Sequence, residues 1–349
     1  MIYRFTNDYS EGAHINILNA FLKTNLNQEI GYGNDDFCEE AKKLIKAKIK
    51  NENADIHFVS GGTQANLVII SSVLRPHEAI IAAKTGHINV HETGAIEATG
   101  HKICTVETKD GKLTVKDIQK VLEVHEDEHM VKPKMVFISN STELGTIYKK
   151  EELQEISKFC KENNLYLHLD GARLGCALMS RDNDLTLDEL SDLVDIFYIG
   201  GTKNGALLGE AIVINNDKLK EDFRYHIKQK GAMLAKGRVL GIQFVELFKD
   251  DLYYDLAKHA NKMAYKLSDA LKVLGYEFLT EPTSNQIFPI MTNEMIEKLE
   301  GRYGFNIEMK LDETKKAIRL VTSWATKESA VDEFINYIKS LGGLENDKN

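Results

Sequence analysis

Three short stretches place side chains capable of chemistry directly after apolar runs. In FVSGGTQAN, Gly61 and Gly62 permit a tight turn with backbone close to a ligand, and Thr63 adds a hydroxyl where a helix opens. The free N–H groups and positive dipole end of such a helix would cradle a phosphate. In LYLHLDGARL, strand alternation sends Leu165, Leu167 and Leu169 one way and Tyr166, His168 and Asp170 the other. A carboxylate there is costly to bury unless a cation meets it. Asp170 is therefore a helix N-cap, a partner of Arg173, or the counter-ion of something bound. In DIFYIGGTKNGALLGEAIVI, Lys203 follows a buried-looking strand by two glycines and a threonine. A free lysine has a pKa near ~10.4, so roughly one in 2,500 is unprotonated at neutral pH. Desolvation or a neighbouring cation would raise that fraction and make the amine a nucleophile.

These positions need a scaffold that gathers strand ends, and the hydrophobic pattern supplies one. DFCEEAKKLIKAKIK predicts an amphipathic helix over 36–50. Short apolar runs at ADIHFV, EAIIAA, HKICTVET, KMVFIS, LYLHLD, DIFYIGG and EAIVIN read as strands. They alternate with helices that include one opening near Thr63, KEELQEISKFCKENN and LTLDELSDLV. EAIVIN follows DIFYIGG by a short connection, which predicts one antiparallel partner in a mostly parallel sheet covered on both faces. After about residue 245 come one long amphipathic helix, brief strands near 286–290 and 317–322, and a last helix near 328–341. The expected organisation is a large α/β domain over 15–245 and a smaller α+β domain over 246–349, joined by residues 1–14. Ligands of such a sheet bind beyond the carboxyl ends of its strands, where all three stretches lie.

Together the three stretches meet the demands of one cofactor. Pyridoxal 5'-phosphate needs a lysine to hold its aldehyde as an imine, an anion beside its pyridine nitrogen, and a phosphate cradle. The ordered series GYGNDD, FVSGGTQAN, HLDGARL, IGGTKNGA and RLVTSWAT resembles the threonine aldolase and β-eliminating lyase family over about residues 5–326. That family belongs to the fold type I pyridoxal-phosphate enzymes, whose architecture is that of aspartate aminotransferase. The resemblance implies that Lys203 carries the cofactor and that Asp170 pairs with its pyridinium nitrogen. It also implies that Gly61, Gly62, Thr63 and Thr202 hold the phosphate, and that His87 stacks on the ring and accepts a proton from the substrate hydroxyl. Arg173 and Arg319 match arginines that bind the substrate carboxylate, with Asn7 nearby where the family commonly has serine. A bidentate grip on that carboxylate would decide which Cα bond is broken. The implied reaction is retro-aldol cleavage of L-threonine or L-allo-threonine to glycine and acetaldehyde, in a homodimer or homotetramer.

Some positions depart from the family pattern. SGGTQAN replaces SGTMAN, ISNSTELGTIY stands where ENT and glycines are common, and VTSWAT lacks the usual histidine. KQKGAMLAKGR loosely matches a glycine-rich, arginine-bearing segment, leaving Lys228, Lys230 and Lys236 as candidate phosphate contacts. The departures lie around the substrate more than around the ring. The same cofactor chemistry would also serve β-elimination or racemisation, and a non-catalytic amino-acid-binding homologue is a further alternative.

Composition narrows the partners. The 349 residues carry a formal net charge of -9, which argues against nucleic acid or an anionic membrane surface and leaves a small-molecule site open, the small molecule that the resemblance implies being an amino acid. No apolar stretch approaches the ~18 residues of a membrane span, and MIYRFTNDYS lacks a basic segment followed by an apolar core, so the expected compartment is the cytoplasm. Cys38, Cys104, Cys160 and Cys176 form no CxxC pair and read as reduced structural thiols. His87 and His91, with Glu92, and His125 and His129 in HEDEH have metal-compatible spacings, yet they read as site support and a solvated loop, and no metal is expected. His168 is expected to be a hydrogen-bond partner. Glu143 either orients water or the cofactor hydroxyl, or is structural.

Overall fold

The computed structural model describes residues 2–342. Its strands are β1 (Tyr3–Arg4), β2 (Asp55–Val59), β3 (Glu78–Ala83), β4 (Ile103–Val106), β5 (Lys132–Ser139), β6 (Tyr166–Asp170), β7 (Ile196–Gly200), β8 (Glu210–Ile214), β9 (Gln286–Ile287), β10 (Ile290–Thr292), β11 (Tyr303–Gly304), β12 (Asn306–Lys310) and β13 (Lys315–Val321). Seven of them form one sheet in the order β2-β8-β7-β6-β5-β3-β4. Every pairing is parallel except the two made by β8, which runs antiparallel to both β2 and β7. The short connection from DIFYIGG to EAIVIN thus inserts the expected antiparallel strand.

The all-apolar reading of these strands follows from cover on both faces: β3, β7 and β8 are buried at every residue. Val136, Leu167, Leu169 and Phe197 face one helical layer, while Met135, Phe137, Ile196 and Tyr198 face the other. The HLDG turn after β6 presses against β7 so closely that a Cβ on Gly171 would stand 1.8 Å from the Tyr198 carbonyl oxygen. A third apolar cluster joins Phe5 to Met263, Leu267, Ile318 and Phe334 around β9, β10, β12 and β13. The long helix Leu252–Val273 bridges two cores, with Tyr253 and Leu256 in the sheet's cluster and Met263, Leu267 and Leu271 in the third.

The helix expected over 36–50 is Asp36–Ile49, capped by Asp35 and ended by Lys50 in the left-handed region, φ 52°. Helices Ile15–Thr24, Val115–Val124, Arg238–Phe248 and Asn293–Glu300 were not anticipated. Ile15–Thr24 hides from a periodicity reading because several of its apolar residues face outward. The segment after β3, expected as a loop, contains one helical turn, His87–Val90, too short to show a period.

Candidate active site

The segments that follow β3, β5, β6 and β7 lead into one cleft at the carboxyl edge of the sheet. Asp170, the last residue of β6, is buried and accepts from three donors, one short of the roughly four acceptor sites of a carboxylate. Its Oδ1 accepts the Ala172 N–H at 3.0 Å, its Oδ2 accepts Asn66 Nδ2 at 3.1 Å, and the Tyr198 hydroxyl donates to it. Burial alone would push its carboxyl up, but the facing His87 charge and these donors together hold it below the usual carboxylate range. Asp170 thus stays anionic at neutral pH.

Asn66 stands one turn into the helix Gly62–Val73 that follows the glycine turn. Its Nδ2 donates to Glu92 Oε1 at 2.8 Å as well as to Asp170, so its Oδ1 is the atom that faces His168 Nε2, at 3.0 Å. His168 Nδ1 in turn lies 3.3 Å from the Ile196 carbonyl oxygen, so both ring nitrogens face acceptors and the neutral ring donates to one of them. Burial lowers this histidine to about 4, against the pull of Asp170, and it meets Asp170 only through Asn66.

His87 opens the turn after β3. Its Nδ1 lies 2.7 Å from Glu92 Oε1, and its backbone N–H donates to Glu143 Oε1 at 3.0 Å. Burial opposes a charge on the ring, yet the Glu92 contact and Asp170 outweigh it and raise its pKa. Glu143 also accepts the Ser139 hydroxyl at 2.8 Å. Burial and the nearby Asp170 raise its carboxyl above the usual value.

The lysine loop is pinned to β8. Gly201 and Thr202 donate to the Gly209 carbonyl at 3.0 and 3.1 Å, Gly209 donates to the Thr202 hydroxyl at 2.9 Å, and Gly201 also donates to Glu210 Oε2 at 3.0 Å. The Thr202 hydroxyl is engaged with Glu210 as well, whose carboxyl burial pushes up to about 8. Among the described residues the Lys203 ammonium has no hydrogen-bond partner. Burial and then Arg173 lower its pKa, opposed by Asp8, Asp170 and Glu210. Of the expected cradle residues, Gly61 precedes the helix without any side-chain cap, a Cβ there would meet open space, and Thr63 is exposed in the first turn; none of Gly61, Gly62 and Thr63 lines the cleft of Lys203.

A cleft of about 290 Å³ is lined by Lys203, His87, His91, Glu143, Arg173 and Arg319, with Asn7, Tyr9, Gln286 and Glu308 at its sides. Arg173 and Asp170 do not neutralise each other. Arg173 instead makes a bidentate pair with Asp8, Nε to Oδ2 at 2.7 Å and Nη2 to Oδ1 at 3.0 Å, and Asn285 holds the same carboxylate at 2.9 Å. Arg319, on β13, is freer: Glu308 lies 4.0 Å from its Nη1, and its buried Nε has no partner among the described residues. Asn7 folds back locally, its Oδ1 accepting from the Tyr9 N–H and the Ser10 hydroxyl. Lys228 lies over the Tyr32 ring and Lys236 lines a separate groove with Arg238, away from this cleft.

Sequence reasoning missed Asp8 as the partner of Arg173, along with Asn66, Glu92, Tyr198 and Glu210. The available signal was modest: Asn66 sits one turn from Gly62 in SGGTQAN, and Glu92 five residues after His87. In HEDEH, His125 Nδ1 contacts the Val121 carbonyl oxygen and His129 is exposed. Among the described residues no three His, Cys, Asp or Glu side chains are grouped to hold a metal.

Comparison with known proteins shows the family and the fold. The sequence profile of the beta-eliminating lyase family matches residues 15–294. A low specificity L-threonine aldolase of Pseudomonas sp. strain NCIMB 10558 is 33% identical over 345 residues, covering 97% of each chain. A solved threonine aldolase from Leishmania major superimposes with a TM-score of 0.96 at 50% identity, covering 97% of this chain and 99% of that one. Aspartate aminotransferase from Thermus thermophilus shares the fold alone, with a TM-score of 0.72 at 13% identity over 97% of this chain and 91% of its own. The architecture is therefore that of fold type I.

Proposed function

The chain belongs to the beta-eliminating lyase family, and from that premise we propose that it is a pyridoxal-phosphate-dependent lyase that cleaves L-threonine or L-allo-threonine to glycine and acetaldehyde. The observation that carries this reading is the cleft lined by both Lys203 and Arg319, with the charge of the buried, anionic Asp170 acting on Lys203. The cofactor fits the residues present. The helix end at Gly61 is uncapped and has space for a phosphate, with the N–H groups of Gly62 and Thr63 as donors. Thr202 borders the lysine and completes that side.

When bound, the cofactor supplies an electron-withdrawing ring that accepts the electron pair released at the substrate Cα. Lys203 provides the amine that holds its aldehyde, and its lowered pKa increases the nucleophilic fraction. Asp170 would serve as the anion for the protonated pyridine nitrogen, and His87, held by Glu92, would be the residue that stacks on the cofactor. Arg319 takes the substrate carboxylate, assisted by the part of Arg173 that Asp8 leaves free and by Asn7 at the rim. Holding that carboxylate sets the Cα–Cβ bond in line for cleavage.

Product analysis tests this reading. With L-threonine, L-allo-threonine and L-serine supplied separately, the protein releases glycine and an aldehyde in equal amounts. Pyruvate or 2-oxobutanoate would instead mark β-elimination, and a change of configuration alone would mark racemisation. Arg319→Leu removes a charge-assisted contact made to every substrate, so KM for threonine rises about 10- to 100-fold with a smaller change in kcat. An unchanged KM in steady-state assays would remove Arg319 from carboxylate binding.

The organisation around this site follows the same reading. Residues 15–245 form the cofactor-binding domain and 246–349 the small domain, which the segment 1–14 joins through the pairing of Tyr3–Arg4 with Tyr303–Gly304 and through Phe5 in its core; residues 1 and 343–349 lie outside those described. The chain works as a homodimer or homotetramer, a reading supported by the apolar residues Leu22, Leu26 and Ile30, which are 78%, 91% and 71% exposed, Ile30 lining one groove with the lysine loop's Leu207. Replacing Leu22 and Leu26 together with aspartate shifts the particle toward the monomer mass in sedimentation equilibrium. A wild-type chain that sediments as a monomer would contradict the assembly. No described helix is long and apolar enough to cross a membrane, and four buried free thiols favour a reducing compartment, the cytoplasm.

A further inference from the structure

His91 is a side chain of the cleft to which the reaction above gives no task. It follows the turn His87–Val90, with its backbone N–H on the His87 carbonyl oxygen at 2.9 Å. The spacing of four residues brings both rings to one side, with centroids 5.4 Å apart. Both rings line the cleft of Lys203 and Arg319.

The groups that could take a proton there are held differently. His87 has Nδ1 committed to Glu92, and its surroundings favour the form that already carries both protons. Glu143 has one oxygen occupied by the Ser139 hydroxyl and the His87 N–H. His91 is exposed to the cleft, and among the described residues neither of its ring nitrogens is bonded to a protein group. Partial burial and the facing cations His87, Arg319, Lys203 and Arg173 lower its pKa, so it is neutral near pH 7. Glu143 and Glu308 are the carboxylates of the same cleft.

We infer that His91 is the base that takes the proton of the substrate β-hydroxyl as the carbon–carbon bond breaks. This rests on the retro-aldol reading above. The O–H proton passes to a ring nitrogen of His91, the O–H electron pair becomes the second bond of the aldehyde C=O, and the Cα–Cβ bond breaks with its pair left on Cα. Cα then takes up one proton from solvent and His91 releases one, so threonine gives one glycine and one acetaldehyde with nothing left over.

The test pairs His91→Asn with Glu143→Gln in the holoenzyme. The expected result is a kcat for threonine cleavage lowered on the order of 10²-fold in His91→Asn, the scale of losing a general base. The fall of kcat toward low pH, which tracks protonation of His91, disappears with it. Exchange of the glycine Cα proton with deuterated water needs no hydroxyl chemistry and stays within about 3-fold of wild type. In NMR of the ring-labelled cofactor-free protein, the His91 imidazole titrates below a free histidine. The inference is overturned if cleavage and its acid limb survive in His91→Asn, if cleavage and exchange fall in parallel, if Glu143→Gln alone removes the limb, or if His91 titrates at or above a free histidine. A wild-type protein that exchanges glycine but yields no aldehyde from threonine would instead sink the retro-aldol reading itself.

Discussion

Lys203→Ala is expected to abolish threonine cleavage and to remove the visible absorbance of lysine-bound cofactor, leaving a fold that melts as the wild type does. Lys203 lies in a loop whose hydrogen bonds run through Gly201, Thr202, Gly209 and Glu210 and never through its own side chain. Removing the ammonium leaves that frame standing, so the variant separates chemistry from folding. The loss is large because no neighbouring amine can substitute. Arg173 is fully protonated and committed to Asp8, and Lys228 and Lys236 lie away from the cleft. Absorbance spectra, turnover and a melting curve on one preparation check it. Turnover within tenfold of wild type would contradict the role assigned to Lys203.

Asp170→Asn is expected to retain cofactor and visible absorbance while turnover falls on the order of 10²- to 10³-fold, the scale of losing one preorganised electrostatic contact. The amide preserves shape and can still accept the Ala172 N–H, but it brings no negative charge to the pyridine nitrogen. It also weakens two supports read from the structure. His87 loses a neighbour that favours its charge, and the donors Ala172, Asn66 and Tyr198 lose the anion around which they gather. Stopped-flow turnover alongside the bound-cofactor spectrum checks this, and near-normal turnover would remove Asp170 from its proposed role.

What could be read from the sequence, and what could not, follows from how far each contact reaches along the chain. Asp170, Lys203, His87 and Gly61 each stand at or just past the end of a strand, and a parallel sheet brings those ends to one edge whatever their order. Their meeting was therefore legible once the alternation of strands and helices was. Asp8 reaches Arg173 across 165 residues, and Asn285 reaches Asp8 across 277, and no periodicity encodes either. Tyr198 sits within the apolar run IFYIG and reads as core, although its hydroxyl serves Asp170. Asn66 looked like one polar residue of a helix opening, yet its amide is what links Asp170, Glu92 and His168. Sequence left open whether Arg173 partners Asp170, because three residues separate them; the geometry after Gly171 turns the guanidinium to Asp8.

Lys203, at the carboxyl edge of this sheet, is the proposed carrier of the cofactor. Reducing the pyridoxal-phosphate-loaded protein with borohydride and mapping the modified peptides by mass spectrometry tests that role. The expected result is a pyridoxyl-phosphate group on the peptide containing Lys203 and on no other in stoichiometric amount. Label on another lysine, such as Lys228 or Lys236, with Lys203 unmodified would contradict it.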